Sequence, residues 1–168
     1  MGLVDGLDGA GHAGAPVILC APVSGRVVAM ADVPDPVFAG GMLGEGCGVW
    51  PSDSVVCAPA AGTVSAAMSH AVGIMGDVGV EVLVHVGLDT VEMAGEGFEL
   101  LVKPGDYISA GQPLVRIDRD KIAVAGYKDC VVLAVSNSAE LAGVELAVEP
   151  GSTVSAGAAL LYVSKARG

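Results

Sequence analysis

Aromatic and basic residues are scarce in this chain. Aromatic side chains make up 4% of the 168 residues, so the hydrophobic content of 52% comes mainly from Val, Ala, Leu and Ile. Eight Lys and Arg stand against 19 Asp and Glu, which gives a net charge of −11. Binding to nucleic acid or to an anionic membrane surface needs clustered Lys and Arg. The charge balance therefore argues against both kinds of partner.

Long apolar runs and paired cysteine motifs are also missing. No stretch approaches the roughly 20 apolar residues that span a bilayer, and the first residues lack the basic start and apolar run of a signal peptide. The cysteines show no CxxC spacing, which would indicate a metal or redox site. We therefore expect a cytoplasmic protein, without stable membrane insertion, whose thiols stay reduced in the core. These thiols are Cys20, Cys47, Cys57 and Cys130.

Glycine and proline, in contrast, are abundant throughout the chain. The 25 Gly and 9 Pro predict many short strands joined by tight turns. Residues 1–15 are rich in Gly, Ala and Asp, which predicts a flexible N-terminal tail. The third histidine, His12, lies in that tail without patterned neighbours, and we assign it no role. Residues 16–168 are predicted to form a single domain.

Two pairs of segments echo each other along the chain. Residues 17–27 and 55–64 each read as strand, Pro-containing turn with Gly, and strand. Residues 102–111 and 148–157 each run from a Pro-Gly turn through a short strand to Ser-Ala-Gly. These echoes predict an all-β fold, an antiparallel sandwich or barrel of short strands with pseudo-symmetric hairpins.

The stretch from Gly79 to Val91 combines a strand pattern with a histidine. Alternation places His85 on one face, together with Glu81, Leu83 and Asp89. The opposite face is aliphatic and is predicted to be buried; it consists of Val82, Val84, Val86 and Leu88. On a straight strand Asp89 would lie roughly 13 Å from His85, and a bend at Gly87 would shorten that distance.

A second histidine lies upstream, at His70. A two-residue hairpin loop at Asp77 and Val78 would place His70 directly opposite His85, with Cβ atoms roughly 5 Å apart. Facing imidazoles suit metal binding or phosphoryl transfer, whereas a lone strand histidine is more often a partly exposed, hydrogen-bonded side chain. Catalytic zinc usually needs three protein ligands, and the chain has no HxH or HExxH. We expect no cofactor, and a fortuitous zinc between the two histidines stays open.

The segment from Asp32 to Gly46 is too rich in Pro and Gly for a long regular element. It is also too apolar for a simple solvated loop, because it contains Val37, Phe38, Met42 and Leu43. Two interpretations are equally compatible with its composition. It packs down on the core, or it exposes an apolar patch for a protein partner with Phe38 as the anchor.

A carrier module is one alternative. Pro-Gly hairpins in a quasi-repeat also mark lipoyl and biotinyl domains, and residues 119–122 faintly resemble a lipoyl-lysine turn around Lys121. Those modules are much shorter than this chain, and Ile122 stands where they have Ala. We therefore rank this alternative low.

The motif Gly79-x-x-Val82-Leu83-Val84-His85-Val86-Gly87-Leu88-x-Thr90-Val91 resembles the phosphorylation-site signature of glucose-type IIA components of the bacterial phosphoenolpyruvate:sugar phosphotransferase system. The resemblance continues through residues 33–39, residues 91–98 and the Ser136-Asn137 segment, and it spans the chain from about Val17 onward. It implies that residues 16–168 are a IIA phosphocarrier domain.

The resemblance implies a phosphoryl-transfer role in sugar transport. His85 would accept a phosphoryl group from the phosphohistidine of the general phosphocarrier protein and pass it to a cysteine of a IIB domain. That domain would phosphorylate a sugar of the glucose or N-acetylglucosamine type during uptake. His70 would hydrogen-bond the phosphate. The family threonine two places before this histidine is Met68 here, so the resemblance implies no hydroxyl relay to His70.

The resemblance also implies a partner-binding surface around the site. Two acidic positions, Asp35 and Asp89, would meet basic residues of the partner. The apolar docking positions would be Val37, Phe38, Met42, Leu43, Leu83 and Val91. A regulatory binding protein of the same fold without efficient transfer is the remaining alternative.

Overall fold

The computed structural model describes residues 15–165. Within that range the chain forms fourteen strands, two short α-helices and three 3₁₀ helices, so the predicted all-β class is confirmed. The predicted tail falls outside the described residues except for Ala15. The strands are β1 (Val17–Cys20), β2 (Gly25–Ala29), β3 (Glu45–Pro51), β4 (Val55–Cys57), β5 (Gly62–Met68), β6 (Ala71–Gly76), β7 (Glu81–Leu88), β8 (Phe98–Leu100), β9 (Tyr107–Ile108), β10 (Pro113–Ile117), β11 (Lys128–Val135), β12 (Gly143–Leu146), β13 (Thr153–Val154) and β14 (Ala159–Ser164). The α-helices are α1 (Pro36–Ala39) and α2 (Arg119–Val124), and the 3₁₀ helices are Met30–Asp32, Thr90–Met93 and Ser138–Glu140.

The strands pair into three antiparallel sheets. The largest has eight strands in the order β13-β2-β3-β11-β7-β6-β5-β9, and the two smaller sheets have the orders β1-β14-β12 and β4-β10-β8. The middle of the large sheet is mostly regular, because β11 pairs residue by residue with β3 and, from Val82 to Val86, with β7. This arrangement puts β7, which carries His85, among the interior strands of the large sheet.

The predicted pseudo-symmetry of the hairpins is present in the pairing. Strand β13 pairs with β2 as β9 pairs with β5, and β14 pairs with β1 as β10 pairs with β4. The two units meet through reciprocal backbone hydrogen bonds. The Cys20 N–H donates to the Pro59 carbonyl at 2.9 Å, and the Cys57 N–H donates to the Pro22 carbonyl at 2.7 Å. Sequence echo and backbone symmetry therefore coincide.

The core lies on one face of the large sheet and consists of small aliphatic side chains. Val82, Val84 and Val86 of β7 point into it, as the alternation predicts. Each fully buried valine or leucine stabilises the fold by roughly 1.5–3 kcal/mol. Leu88 departs from the predicted pattern: it packs in a second, smaller cluster that contains Phe38 and Val132. A break in the alternation must therefore lie between Val86 and Leu88.

The cysteines are free thiols in this fold. Cys47 and Cys130 are buried, and burial is the main cause that raises the pKa of each to about 12. Both thiols are therefore protonated at neutral pH and serve as apolar core side chains, as predicted.

The segment that resembles a lipoyl-lysine turn forms a helix instead. Lys121 lies inside α2, and its N–H donates to the Asp118 carboxylate at 3.1 Å. This is a side-chain cap of the first helical turn, so the resemblance to a hairpin turn at Lys121 is wrong. Among residues 15–165, no helix combines the length and apolar character needed to cross a bilayer.

Candidate functional site

His85 stands just before an irregularity in β7. Val86 pairs with Val131 of β11, but Leu88 pairs with Lys128, so the register between the two strands shifts across Gly87. Gly87 has a φ of +83°, a backbone conformation that residues with a side chain rarely adopt. This is a β-bulge. It explains why Leu88 leaves the large core, and it re-aims the chain that follows.

The change of direction at Gly87 brings Asp89 to the cavity that His85 lines. Asp89 lies at the end of the bulge with a φ of 59°. The predicted approach of Asp89 to His85 through a bend at Gly87 is therefore confirmed. A straight strand would have kept the two side chains apart.

His70 lies close to His85, but not through the predicted register. Ala71, not His70, is the cross-strand partner of His85. Three residues lie between Gly76 and Val80, which close the hairpin: the Gly76 N–H donates to the Val80 carbonyl at 2.9 Å, and Gly79 adopts a φ of +82°. The prediction of a two-residue loop is wrong, since a left-handed glycine at its end adds one residue to such a hairpin.

The two histidine rings are neighbours nonetheless. His70 occupies the turn between β5 and β6, and its carbonyl accepts the Val86 N–H at 2.7 Å, which ties that turn to β7. The ring centroids of His70 and His85 are 5.3 Å apart, with the planes at 75° to each other. The structure thus brings together the pair that the sequence predicts.

The ring of His85 has a fixed hydrogen-bond partner. Its Nδ1 lies 2.8 Å from the Gly87 carbonyl oxygen. A carbonyl can only accept, so Nδ1 must carry the proton. In the neutral imidazole the other nitrogen, Nε2, then has a free lone pair. The bulge therefore sets the tautomer of His85 as well as its surroundings.

Burial keeps both histidines neutral. It is the largest cause that lowers the pKa of His85, and the neighbouring His70 lowers it further. The Gly87 carbonyl and the carboxylates of Asp35 and Asp89 act in the opposite direction without restoring the ordinary value. Burial also lowers the pKa of His70. Two uncharged imidazoles at neutral pH follow from these causes.

The segment before β3 covers one side of His85. Asp35 begins α1 as its N-cap, and its carboxylate accepts the N–H groups of Val37 at 2.9 Å and Phe38 at 3.3 Å. Phe38 is only 4% exposed, and its ring centroid lies 4.9 Å from that of His85. Of the two interpretations of this segment, packing on the core therefore holds for Phe38, and its contact with a partner stays a prediction. Phe38 packs on the histidine and the second cluster, and its neighbours remain at the surface.

A cavity of about 270 Å³ opens over the two histidines. Its lining is acidic and apolar: Asp35, Val37, Phe38, Leu43, His70, His85, Asp89 and Val91. Two predicted contact residues, Met42 and Leu83, lie outside this lining. Met42 is 76% exposed, next to Leu43, whereas Leu83 is partly buried on the His85 face of β7.

Exposed methionines extend the apolar surface beyond the predicted residues. Met68 is the strand partner of Ala71, which in turn pairs with His85, so the three share one face of the sheet. Met75 pairs with Glu81 on that same face. Both methionines are about half exposed. The sequence alone does not place these methionines on the His85 face, because their placement depends on the register of β5 and β6.

Asn137 is a further residue whose role the sequence alone did not reveal. Its side-chain oxygen accepts the Glu81 N–H, and its side-chain nitrogen donates to the Gly79 carbonyl, each at 3.0 Å. These bonds attach the start of β7 to the loop that follows β11. The Ser136-Asn137 segment was visible as a motif, but its contacts depend on a separation of more than 50 residues.

A metal centre gains no support from the side chains around the histidines. Within the described part of the chain, no group of three or more His, Cys, Asp or Glu is arranged to hold a metal ion. A zinc ion shared by His70 and His85 alone would lack the third protein ligand of catalytic sites. Such fortuitous binding stays an untested prediction.

Comparison with known proteins gives a consistent result. The family profile described as phosphoenolpyruvate-dependent sugar phosphotransferase system, EIIA 1, matches residues 17–141. A glucose-specific EIIA component of Staphylococcus aureus (strain COL) is 41% identical over 130 residues, covering 76% of this chain and 78% of the relative. A glucose-specific EIIA component of Staphylococcus epidermidis is 48% identical over 104 residues, covering 61% and 63%.

A solved structure has the same fold. Glucose permease IIA from Mycoplasma capricolum superposes with a TM-score of 0.77 at 29% sequence identity. The match covers 89% of this chain and 96% of that one. The β-sandwich predicted from the echoes is thus the fold of this relative as well.

Proposed function

Because the chain belongs to the EIIA 1 family of the phosphoenolpyruvate-dependent sugar phosphotransferase system, we propose that it carries a phosphoryl group on His85. The donor would be the phosphohistidine of the general phosphocarrier protein, and the acceptor a cysteine thiolate of a IIB domain. The relatives are glucose-specific components, so we propose uptake of a sugar of the glucose type as the process that this transfer drives.

One observation carries the proposal: the hydrogen bond from Nδ1 of His85 to the Gly87 carbonyl. It leaves Nε2 as the only ring nitrogen with a free lone pair, and burial keeps the ring uncharged. A neutral imidazole nitrogen is a competent nucleophile near neutral pH. The cavity over His85 leaves space for a tetrahedral phosphoryl group.

The phosphoryl group would pass directly between two side chains in each step. The Nε2 lone pair forms a bond to phosphorus, while the bond from phosphorus to the donor's imidazole nitrogen breaks and its electron pair stays on that nitrogen. In the second step a thiolate of the acceptor forms the bond to phosphorus, and the electron pair of the broken P–N bond returns to Nε2. Positioning in line and charge stabilisation dominate such reactions.

His70 would support the phosphorylated state. Its ring lies beside that of His85, and burial lowers its pKa, so it is neutral and presents one N–H. That N–H could donate to a phosphoryl oxygen on His85. Asp35 and Asp89 also line the cavity, and their negative charges repel the phosphoryl oxygens. We infer that this balance holds the group while leaving it transferable.

The surface around the cavity suits protein partners with a basic, apolar contact face. Val37, Met42, Leu43 and Val91 are exposed together near the two carboxylates. Exposed apolar side chains clustered in this way are typical of protein interfaces. Cationic residues of a partner would complement Asp35 and Asp89.

The experiment is phosphorylation by phosphoenolpyruvate, enzyme I and the phosphocarrier protein, followed by intact mass. We expect one added phosphate on the wild type and on His70→Ala, and none on His85→Ala. His12→Ala, which changes the third histidine, is the matched control and should behave as the wild type. Onward transfer to a IIB domain should fail or slow in His70→Ala.

The alternative is a binding protein of the same fold that transfers inefficiently. The discriminating result is the wild-type rate with a IIB acceptor. The proposal would be contradicted by a wild type that stays unphosphorylated, or by a His85→Ala variant that still accepts a phosphate.

A further inference from the structure

We propose that Thr90 is a positioning residue that holds the Gly87 bulge and thereby keeps the Gly87 carbonyl on Nδ1 of His85. The inference rests on the proposed function only for its kinetic test. The geometry behind it concerns the tautomer of His85, which can be measured without any partner protein.

Thr90 is a buried polar residue whose side chain makes one hydrogen bond among the described residues. It is 1% exposed, and its hydroxyl donates to the Val86 carbonyl at 2.5 Å. That carbonyl belongs to the peptide bond between Val86 and Gly87, which is the entry to the bulge. A buried hydroxyl bonded to a backbone carbonyl fixes the plane of that peptide.

The methyl group of Thr90 fits against Gly87 itself. A Cβ placed on Gly87 would lie 2.4 Å from the Thr90 Cγ2 atom and 3.0 Å from its Oγ1 atom. The side chain of Thr90 therefore occupies the space that the missing side chain of Gly87 leaves open. Hydroxyl and methyl together leave the Gly87 Cα little room to move.

The consequence reaches His85 through one residue. The plane of the Val86–Gly87 peptide and the backbone dihedrals of Gly87 together determine where the Gly87 carbonyl points, and that carbonyl accepts from Nδ1 at 2.8 Å. If the bulge relaxes, the Gly87 carbonyl turns away and the ring can exchange tautomers or rotate. The fraction of rings that present a bare Nε2 towards the cavity then falls.

The test compares Thr90→Val with Thr90→Ser. Valine keeps the shape and removes the hydroxyl, whereas serine keeps the hydroxyl and removes the methyl group. Thr153→Val on β13, an exposed threonine, is the matched control. The first measurement is the ¹⁵N chemical shift of both His85 ring nitrogens, which reports the tautomer directly. The second is the rate of His85 phosphorylation by the phosphorylated phosphocarrier protein.

We expect the wild type and Thr153→Val to have a single tautomer with the proton on Nδ1. Thr90→Val should populate both tautomers and be phosphorylated about 10- to 100-fold more slowly, the usual cost of a misplaced reacting group. Thr90→Ser should restore the tautomer and most of the rate. A merely structural role would lower stability and leave both readouts unchanged, and that result would overturn the inference.

Two further measurements test the inference even if Thr90→Val does not fold. Thr90→Cys keeps the size and replaces the hydroxyl with a weak thiol donor, so it should give an intermediate tautomer ratio. In the wild type itself, the Thr90 hydroxyl proton should be protected from exchange with solvent. A rapidly exchanging hydroxyl would overturn the inference, whereas a wild type that is never phosphorylated but has the expected tautomer would contradict only the proposed function.

Discussion

Substitution of Gly87 by alanine should be among the most damaging changes of one methyl group in this protein. The φ of +83° costs an L side chain roughly 1–2 kcal/mol. The new Cβ would also lie 2.4 Å from the Thr90 Cγ2 atom and 3.1 Å from the Lys128 carbonyl oxygen. Overpacking of this kind costs about 1–3 kcal/mol more. We therefore expect a loss of roughly 2–5 kcal/mol, a large part of the stability of an ordinary domain.

The control for the backbone part is Gly111→Ala. Gly111 has almost the same dihedral, a φ of +87°, but nothing lies within 4 Å of the place where its Cβ would be. This variant should lose only the cost of the left-handed conformation, about 1–2 kcal/mol. Chemical denaturation of both variants gives the two free energies of unfolding. Their difference isolates the contact between residue 87 and Thr90.

A double variant identifies the atom responsible. Thr90→Ser removes the Cγ2 atom that the new methyl group would meet, so Gly87→Ala should cost less in the Thr90→Ser background. A coupling of about 0.5–3 kcal/mol is expected for neighbours that share a contact. If Gly87→Ala were no more damaging than Gly111→Ala, or if the two substitutions were additive, the account of the bulge given above would be refuted.

Two other predictions concern proton binding and docking. Because burial lowers the pKa of both His70 and His85, the folded state binds fewer protons than the unfolded state just below the ordinary histidine range. The free energy of unfolding should therefore be level above that range and decrease as the pH falls through the lowered pKa values. Urea titrations between about pH 5 and pH 8 measure this dependence. A doubly substituted His70→Ala, His85→Ala protein should lose it. Met42→Asp should raise the KM for the phosphorylated donor about tenfold, roughly 1.4 kcal/mol, without lowering stability. The control is Ile18→Asp, which changes an exposed residue of β1, outside the sheet that carries His85. It should leave that KM unchanged.

Much of the fold follows from features that the sequence displays locally. Repeated Pro-Gly turns and period-two alternation are short-range signals, so they predict the hairpins and the buried face of β7 directly. The pseudo-symmetry was visible for the same reason, because both copies of each unit keep their turn residues. His70 and His85 were recognisable as a pair because they flank one hairpin.

Two of the differences have a common physical origin, which is the conformation of single glycines. A left-handed Gly79 adds one residue to a loop and moves the partner of His85 from His70 to Ala71. A left-handed Gly87 transfers Leu88 from the large core to the cluster around Phe38. Composition does not reveal which glycine takes a positive φ, since glycine adopts both signs with similar ease. The burial of Phe38 is a tertiary effect, because its partners include Leu88 of β7 and Val132 of β11.

The Gly87 bulge explains how a β-sheet could supply the nucleophilic histidine that we propose without an acid–base triad. A regular strand would hold His85 rigidly but would leave Nδ1 unpartnered and Asp89 far away. The left-handed conformation of Gly87 changes both, because it points the Gly87 carbonyl at Nδ1 and brings Asp89 to the cavity. The partner of the imidazole is thus a neutral backbone carbonyl instead of a carboxylate. A carboxylate in that position would stabilise the charged imidazolium and raise its pKa, which would reduce the fraction of His85 able to attack phosphorus. The backbone partner fixes the tautomer with a weaker effect on the charge, and this is the combination that a nucleophile used at neutral pH requires.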